Sequence, residues 1–462
     1  MSHSAAAHAV PLARGALPVV GHAMALVRDP FTFPSSLPEY GDLVRIRLGP
    51  QTVIMTCDPE LTRSMLMDDA TFDKGGPFYD RAREASGDGL VTCPHRLHRR
   101  QRRLCQPAFT NERYGDYTSA MIATAEELAR SWHHGQIIDV NDATVLLTMR
   151  SMVKAMFATR LSPAVERQMV DDLTVATGGI FRRMLTPPRL NRVPTPGNLR
   201  YNQAQARLRT TISDAVISHR AALAGQDALI AVLLNSHDPA SPEALRALSD
   251  NEVAEQVLTF FLAGAETTAN LLAWTLYELS RAPDTQERLH AHTAGVLRGR
   301  PSSFTLLPEL TYADHVVTEA LRMYPSAWFL TRTAARDTRL GDAPVPAGTM
   351  LAYSAYVIQR RPDLYPDPHR FRPERWEGRK PNRSTYIPFG AGARKCIGDR
   401  FAHIQATLSL ATMTTLWRFD PITDRIPRPA VHATLMPRGL QLRVVAHDPA
   451  QTVIPPGPPH RR

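Results

Sequence analysis

The sequence predicts a mainly α-helical domain with a minor β region. Three observations support this fold class. Apolar residues at helical spacing dominate residues 110–320, residues 41–55 alternate apolar and polar side chains around a turn, and 43% of the 462 residues are hydrophobic. No composition-biased linker or fixed-period repeat divides the sequence. We therefore expect one large domain over residues 17–447, with disordered ends at residues 1–16 and 448–462.

The composition argues against several classes of protein. The formal net charge is +10, but the basic residues are spread out and form no nucleic-acid-binding motif. The four cysteines, Cys57, Cys93, Cys105 and Cys396, contain no CxxC pair, which argues against zinc and iron–sulfur sites. Residues 5–27 are interrupted by polar residues and proline, so neither a signal peptide nor a membrane anchor is expected. We expect a cytoplasmic monomer.

Strand and loop signals are confined to three parts of the chain. Residues 41–50 and 51–55 are predicted to form a hairpin, and residues 434–445 a late hairpin around a Pro-Arg-Gly turn. Residues 361–388 are rich in proline, arginine and aspartate and show little periodicity. A loop this long in a compact domain should be ordered by packing or be functional.

The longest helical pattern begins at Ser249 and ends near Pro283. Ser249 and Glu252 are spaced as a capping box. A helix of about thirty residues spans roughly 45 Å, the width of a domain. Because the pattern is so apolar, the helix is predicted to be buried.

Residues 263–268 of this helix read AGAETT and include residues that are unfavourable in a buried helix. Gly264 costs about 1 kcal/mol relative to alanine in a helix, Thr267 can bond back to a carbonyl, and a buried Glu266 is unfavourable unless it is used or solvated. A small-residue packing contact, with Glu266 capping a neighbour, explains the same pattern. At this point both interpretations stand.

Residues 389–398 read FGAGARKCIG and surround Cys396 with small residues and a basic pair. The small residues would let a large flat group approach, and the positive charge would support a thiolate. A helical pattern follows, so the thiol is predicted at a helix N-terminus, whose dipole favours an anionic sulfur. Such a thiolate suits haem iron. A lone cysteine is usually a small buried hydrophobe, but that role needs neither the glycines nor the arginine.

The pattern in this segment resembles the haem-binding loop of the cytochrome P450 family, with Phe389, Arg394, Cys396 and Gly398 at matching positions. Three other segments match the family in the same order, over about residues 15–447. The resemblance implies a cytochrome P450 fold, with a long central helix over haem b and the cysteine loop beneath it. It also implies a monooxygenase, which inserts one atom of O2 into an apolar C–H bond and releases the other as water.

In that family the central helix carries an acid–alcohol pair. The resemblance implies that Glu266 relays protons from solvent and that Thr267 holds the water that delivers them to dioxygen. Ala263 and Gly264 would leave room for that oxygen. Two alternatives from other classes remain: a peroxide-driven haem enzyme, which typically lacks this pair, and a catalytically silent haem protein that serves as a binding partner.

An ExxR motif and a later arginine also match the family. Glu319, Arg322 and Arg375 would form a buried triad that fixes the cysteine loop, which is a folding role. An ExxR motif alone is usually a solvated pair.

Residues 95–103 form a strongly basic helix. His98 and Arg102 share one face and match the family's His-x-x-x-Arg pair, which holds the haem propionates. Arg332 and Arg394 match further propionate contacts, and guanidinium groups suit carboxylates.

The opposite face of this helix would carry a positive patch. Its predicted members are Arg96, Arg99, Arg100 and Arg103, together with Lys395 and Arg400. The patch would steer an acidic ferredoxin, which with a ferredoxin reductase would supply electrons. A merely solvated basic helix is the alternative.

The residues of the substrate pocket are predicted from their positions on the central helix, after the ExxR helix and before the basic helix. Its candidate residues are Phe78, Tyr79, Phe260, Trp328, Phe329 and Leu330. Core packing explains each aromatic at least as well, but a pocket of these residues would suit a small, rigid apolar hydrocarbon. Residues 41–53, 98–109 and 328–332 resemble bacterial sesquiterpene oxygenases of the family. A macrolide or polyketide hydroxylase is the second candidate.

Overall fold

The computed structural model describes residues 10–29, 31–157, 162–186, 189–222, 228–425, 427–431 and 434–447. Most of these residues are helical. The α-helices are α1 (Ala23–Arg28), α2 (Thr32–Ser36), α3 (Pro59–Met67), α4 (Pro77–Ser86), α5 (His95–Cys105), α6 (Asn111–Arg130), α7 (Val140–Phe157), α8 (Pro163–Leu185), α9 (Pro196–Ala222), α10 (Leu229–Leu234), α11 (Asp250–Arg281), α12 (Pro283–Leu297), α13 (Thr311–Met323), α14 (Ala355–Ile358) and α15 (Asp399–Leu416).

The strands are short and together contain fewer residues than the helices. They are β1 (Leu43–Leu48), β2 (Gln51–Thr56), β3 (Phe72–Asp73), β4 (Ile137–Asp139), β5 (Leu330–Ala334), β6 (Thr338–Leu340), β7 (Ala343–Val345), β8 (Met350–Tyr353), β9 (Trp417–Pro421), β10 (Arg428–Val431), β11 (Leu435–Arg438) and β12 (Gln441–Ala446). The predicted mainly α-helical fold with a minor β region is confirmed.

Helix α11 is the centre of the helical part of the fold and packs on α7, α9, α13 and α15. Its capping box is present: the Ser249 side chain accepts from the Glu252 N–H, and the Glu252 carboxylate accepts from the Ser249 N–H at 2.9 Å. The helix ends at Arg281, just before Pro283. Among the described residues, only Glu243–Arg281 is long and apolar enough to cross a membrane, and 72% of its apolar window is buried inside the protein. This burial is what a central core helix requires.

The largest sheet has the strand order β1-β2-β8-β5-β3. Strands β1 and β2 form the predicted hairpin, with Leu43 opposite Thr56. At the other edge β3 pairs with β5, and Asp73 lies opposite Thr333. That pairing brings the residues that follow β3 close to those of β5.

The late hairpin predicted over residues 434–445 is wrong in its pairing. Strand β11 pairs with β10, whereas β12 lies between β4 and β9 in a separate sheet. The start of β11 is also held elsewhere, because the Leu435 N–H donates to the Ser326 carbonyl and the Leu435 carbonyl accepts from the Trp274 indole, both at 3.0 Å. These long-range partners override the local turn signal.

The N-terminal segment is ordered for part of the length predicted to be disordered. The Ala13 N–H donates to the Arg45 carbonyl on β1 at 2.9 Å, and the fully buried His22 side chain contacts the Ala13 carbonyl at 3.1 Å. The expectation of disorder is therefore wrong for residues 10–16. The remaining residues of both expected disordered ends, 1–9 and 448–462, lie outside the described residues.

Gly21 provides a test of this docking. Its φ is +61°, and a Cβ there would lie 2.3 Å from the Arg47 carbonyl oxygen. Gly21→Ala combines backbone strain with a clash, so we expect it to lower the free energy of unfolding by about 2–4 kcal/mol. Gly15→Ala is the matched control, because Gly15 has φ +87° but open space around it; it should cost about 1 kcal/mol. Equal losses in urea unfolding would contradict packing of this segment on β1.

Candidate active site

A cavity lies between α11 and the loop that carries Cys396. Its walls also include residues of α4, α5 and β5. Most of the predicted site residues meet here. Those that line the cavity are Phe78, Tyr79, His98, Arg102, Phe260, Ala263, Gly264, Glu266, Thr267, Leu330, Arg332, Phe389, Arg394, Cys396 and Gly398.

Backbone hydrogen bonds shape the cysteine loop. The Cys396 N–H donates to the Phe389 carbonyl at 3.0 Å. Gly390 and Gly392 have φ values of +70° and +69°, which favour glycine. A Cβ on Gly392 would lie 2.1 Å from the Leu66 carbonyl oxygen. Gly392 therefore permits the close approach of α3, not of a flat cofactor as the sequence suggested.

The Cys396 thiol faces the cavity just ahead of α15, whose N-cap is Gly398. The predicted position at a helix N-terminus is confirmed. The pKa of this thiol is raised, chiefly by burial and also by Asp399, whereas the Gly398 N–H, Lys74 and Arg102 lower it. The backbone and the basic side chains thus favour the thiolate against the effect of burial.

The basic pair before Cys396 does not support the thiolate as predicted. Arg394 pairs with Asp73 and lies 3.4 Å from an oxygen of Asp69. Lys395 pairs with Asp399. Because carboxylates neutralise both cations, Lys74 and Arg102 supply the positive charge near the sulfur instead.

A set of basic side chains lines the cavity and fits the carboxylates of haem b. His98 is 2% exposed, and its Nδ1 has no hydrogen-bond partner. Arg102 donates to a carbonyl of the cysteine loop at 2.6 Å, and Arg332 donates to the Tyr79 hydroxyl at 3.3 Å. Among the described lining residues, Glu266 is the only carboxylate. An unpartnered buried ring nitrogen and surplus cations are the donor set that two propionates require.

Lys74 also belongs to this basic set, although no sequence pattern indicated it. The pairing of β3 with β5 brings Lys74 close to Arg332, and both line the cavity. Burial, together with Arg332 and Arg394, lowers the pKa of Lys74 to about 7. A single lysine after a short strand carries no local signal, so only the tertiary pairing reveals it.

The acid–alcohol pair lies on the face of α11 that lines the cavity. The Thr267 hydroxyl donates to the Ala263 carbonyl at 2.7 Å, as predicted. The Glu266 carboxylate accepts a hydrogen bond from the Thr434 hydroxyl, which lies outside the helix. Two groups that could hold protons therefore stand side by side at the cavity wall.

The two small residues of this stretch have different surroundings. Ala263 is exposed to the cavity, in keeping with its expected role. A Cβ on Gly264 would lie 2.1 Å from Met152 Cε. Gly264 thus allows α7 to pack closely on α11, and its missing side chain does not simply add space for dioxygen.

Glu319, Arg322 and Arg375 meet in the interior. Arg322 donates to both carboxylate oxygens of Glu319 at 2.9 Å, Arg375 donates at 3.3 Å, and the Trp376 indole adds a fourth bond at 3.0 Å. Both arginines also donate to main-chain carbonyls within residues 361–388. This segment is therefore ordered by packing, one of the two outcomes expected for it.

The predicted wall of the substrate pocket needs correction. Trp328 and Phe329 do not line the cavity. Trp328 packs with Phe31 and Tyr356 in a separate apolar cluster, because this part of the chain turns its bulky side chains away. Lining residues that the sequence did not indicate include Leu90, Phe109, Met152, Ile180, Leu229, Leu271, Ser326, Ala327 and Thr434.

The outward face of α5 is only partly available to a partner protein. Arg100 pairs with Glu252 at 2.6 Å, and Arg103 pairs with Asp238 at 2.8 Å. These two arginines fasten α5 to the start of α11 and to the segment before it. The exposed members of the predicted patch without an ion pair among the described residues are Arg96, Arg99 and Arg400, whereas the exposed Lys395 pairs with Asp399.

Known proteins of one family match nearly the whole chain. The family described as cytochrome P450 matches residues 11–444. This chain belongs to the cytochrome P450 family. It is 42% identical to pentalenene oxygenase of Streptomyces avermitilis over 95% of this chain and 98% of that protein. It is 40% identical to cyclooctat-9-en-7-ol 5-monooxygenase of Streptomyces melanosporofaciens over 89% of both chains, and 38% identical to cyclooctatin synthase of the same organism over 92% and 94%.

As a cytochrome P450, the protein is a monooxygenase whose cofactor is haem with an axial cysteine thiolate. Among the cysteines, all of which are described, Cys396 alone lines the cavity. Its position at the mouth of α15 agrees with the expected ligand. The resemblance to bacterial sesquiterpene oxygenases agrees with the identity to pentalenene oxygenase.

The buried triad predicts a large loss of stability on substitution. Glu319→Gln would leave Arg322 and Arg375 without a counter-charge in the interior, so we expect a loss of about 3–5 kcal/mol in the free energy of unfolding. Glu377→Gln is the control, because Glu377 pairs with Arg288 at the surface and should cost at most about 1 kcal/mol. Urea unfolding of the haem-free protein checks both values. Similar losses would contradict a structural role for the triad.

Because Lys74 titrates near neutral pH, it should make haem binding depend on pH. Its pKa of about 7 in the haem-free protein should rise when carboxylates bind nearby, so binding takes up a proton above pH 7. The Lys74 contribution to haem affinity should therefore fall as pH rises above 7, by no more than about tenfold per unit; it opposes the rise that comes from loss of the Cys396 thiol proton on ligation. Below pH 7 Lys74 is already charged and contributes no slope. Competition for haem against a second haem-binding protein, with Lys74→Met as the control, measures this; an unchanged slope in Lys74→Met would contradict it.

Proposed function

We propose that this P450 inserts one oxygen atom from O2 into an unactivated C–H bond of a terpenoid, with a sesquiterpene hydrocarbon as the first candidate. The cavity carries this proposal. Around Glu266 and Thr267 its wall is formed mainly by apolar side chains, among them Phe260, Leu271 and Leu330. An apolar wall binds a hydrocarbon through burial of its surface, and only a few polar groups are needed to orient it.

The named relatives support the same substrate class. Pentalenene oxygenase covers nearly the whole chain at 42% identity. The relatives cyclooctat-9-en-7-ol 5-monooxygenase and cyclooctatin synthase follow at 40% and 38%. Because one of these names specifies an alcohol as substrate, a cyclic compound that already carries a hydroxyl group is the second candidate. No observation favours a macrolide or polyketide substrate.

When bound, haem would supply the activation of O2, and Cys396 would ligate its iron. His98, Arg102 and Arg332 would hold its carboxylates. The Thr267 hydroxyl already donates to the Ala263 carbonyl, so its lone pairs remain available to accept a hydrogen bond from a water in the cavity. Beside it, Glu266 holds a carboxylate that can pass protons. This pair argues against a peroxide-driven enzyme and against a silent haem protein.

We propose that electrons come from an acidic ferredoxin and its reductase. The sequence contains no flavin or iron–sulfur motif. Arg96 and Arg99 on α5 and Arg400 on α15 are exposed, and the two helices are connected through the Arg102 contact with the cysteine loop. Positive charge there suits an acidic partner. On the sequence grounds given above, we also propose that the enzyme acts as a cytoplasmic monomer.

An optical titration of the ferric, haem-loaded protein tests the substrate class. The ligands are pentalenene, other sesquiterpene hydrocarbons, cyclooctat-9-en-7-ol and a macrolactone. We expect a low-to-high-spin Soret shift with a sesquiterpene hydrocarbon, because an apolar ligand displaces water from the cavity. Cys396→Ser is the control and should lose the thiolate-type spectrum. A shift with the macrolactone alone would contradict the proposed substrate class, and a retained thiolate spectrum in Cys396→Ser would contradict the ligand assignment.

A further inference from the structure

Thr434 is a cavity residue outside α11 that contacts the acid of the acid–alcohol pair. It lies immediately before β11, and its hydroxyl donates to Glu266 Oε1. The same hydroxyl oxygen lies 2.9 Å from Nδ2 of Asn270, which is one turn further along α11 and 1% exposed. Glu266, Thr434 and Asn270 therefore form a chain of hydrogen bonds across the cavity wall.

The direction of this chain follows from the chemistry of its members. The amide NH2 of Asn270 can only donate, so the Thr434 oxygen accepts there. The single Thr434 hydroxyl proton is then directed at Glu266 Oε1. Asn270 thereby fixes the orientation of the Thr434 hydroxyl and keeps its proton directed at the carboxylate.

The backbone around Thr434 is held firmly enough for this task. The next residue, Leu435, is 1% exposed; its carbonyl accepts from the Trp274 indole on α11, and its N–H donates to the Ser326 carbonyl, both at 3.0 Å. The Ser326 hydroxyl in turn donates to the Thr267 carbonyl at 2.7 Å. Each member of the acid–alcohol pair is thus tied to a cavity-lining segment outside its own helix.

We propose that Thr434 and Asn270 are positioning residues for proton delivery by Glu266. Thr434 holds the flexible carboxylate at the cavity wall beside Thr267, and Asn270 keeps the Thr434 hydroxyl oriented as the donor. Without the hydroxyl, the glutamate side chain gains rotamer freedom and spends less time at the position from which it can exchange protons. The inference rests on the proposed role of Glu266 and Thr267.

Infrared spectroscopy tests the positioning without turnover. The probe is carbon monoxide bound to the ferrous, haem-loaded protein, whose stretching band responds to charges and donors in the cavity. We expect Thr434→Val and Glu266→Gln to shift or broaden the band alike, and the double variant to add nothing further, since both changes remove the same positioned carboxylate. Thr434→Ser keeps the hydroxyl and should restore the parent band.

Coupling of reductant consumption to product provides a second readout. With a saturating concentration of the sesquiterpene hydrocarbon that gives the largest spin-state shift, Thr434→Val and Asn270→Leu should lower product formed per NADH by at least about fivefold. Thr434→Ser should recover most of the coupling. Thr275→Val is the control for loss of a buried α11 hydroxyl, because Thr275 donates only to the Leu271 carbonyl and does not line the cavity.

The outcomes separate this inference from the role of the pair itself. If Thr434→Val keeps full coupling and an unchanged band while Glu266→Gln is defective, the inference about Thr434 is overturned. The proposed role of the acid–alcohol pair then still stands. Independent, additive effects of Thr434→Val and Glu266→Gln would also overturn the inference about Thr434, because Thr434 would then act through some other group. Full coupling in both Glu266→Gln and Thr267→Ala would overturn the proposed role of the pair, and the inference with it.

Discussion

The buried ion pairs of Glu319 with Arg322 and Arg375 are the interaction on which the part of the fold around the cysteine loop depends. The Glu319 carboxylate accepts from Arg322, Arg375 and the Trp376 indole, and the arginines use their remaining donors on carbonyls of residues 361–388. Gln359 extends this network, because its side chain joins the last carbonyls of α13 to the Ile387 N–H at the start of the cysteine loop. A loop without regular structure is thereby given one conformation. A buried ion pair is a poor source of net stability, but it specifies geometry.

On the other side of the cavity, α11 has a structural role in helix packing and, on the proposed function, a chemical role in proton delivery. Its capping box and its packing on α7, α9, α13 and α15 hold it in place, and its cavity-lining face shares the cavity with the cysteine loop. Gly264 shows how the two roles interact, since its missing side chain lets Met152 of α7 approach. The residues that contact the catalytic pair, Thr434 and Ser326, come from distant parts of the chain. On the proposed function, substrate binding and proton delivery would share this wall of the cavity.

The positive charge of the site is distributed differently from what the sequence suggests. Arg394 and Lys395 stand next to the cysteine in sequence, yet carboxylates bind both. Lys74, far away in sequence, reaches the cavity through the pairing of β3 with β5. Likewise, two arginines of the basic helix serve to hold α5 against the rest of the fold. Sequence proximity is a poor guide to charge pairing because an extended side chain can reach partners on any neighbouring element.

The sequence by itself determined the features that depend on local chemistry: the helical fold class, the capping box of α11, the back-bonding of Thr267 and the placement of Cys396 at a helix N-terminus. Each follows from a few adjacent residues, whose spacing fixes their geometry. Only the tertiary structure decided which side chains line the cavity. It excluded Trp328 and Phe329, separated β11 from β12, and added Lys74 and Thr434. These outcomes depend on tertiary contacts between different segments of the chain, which no local pattern encodes.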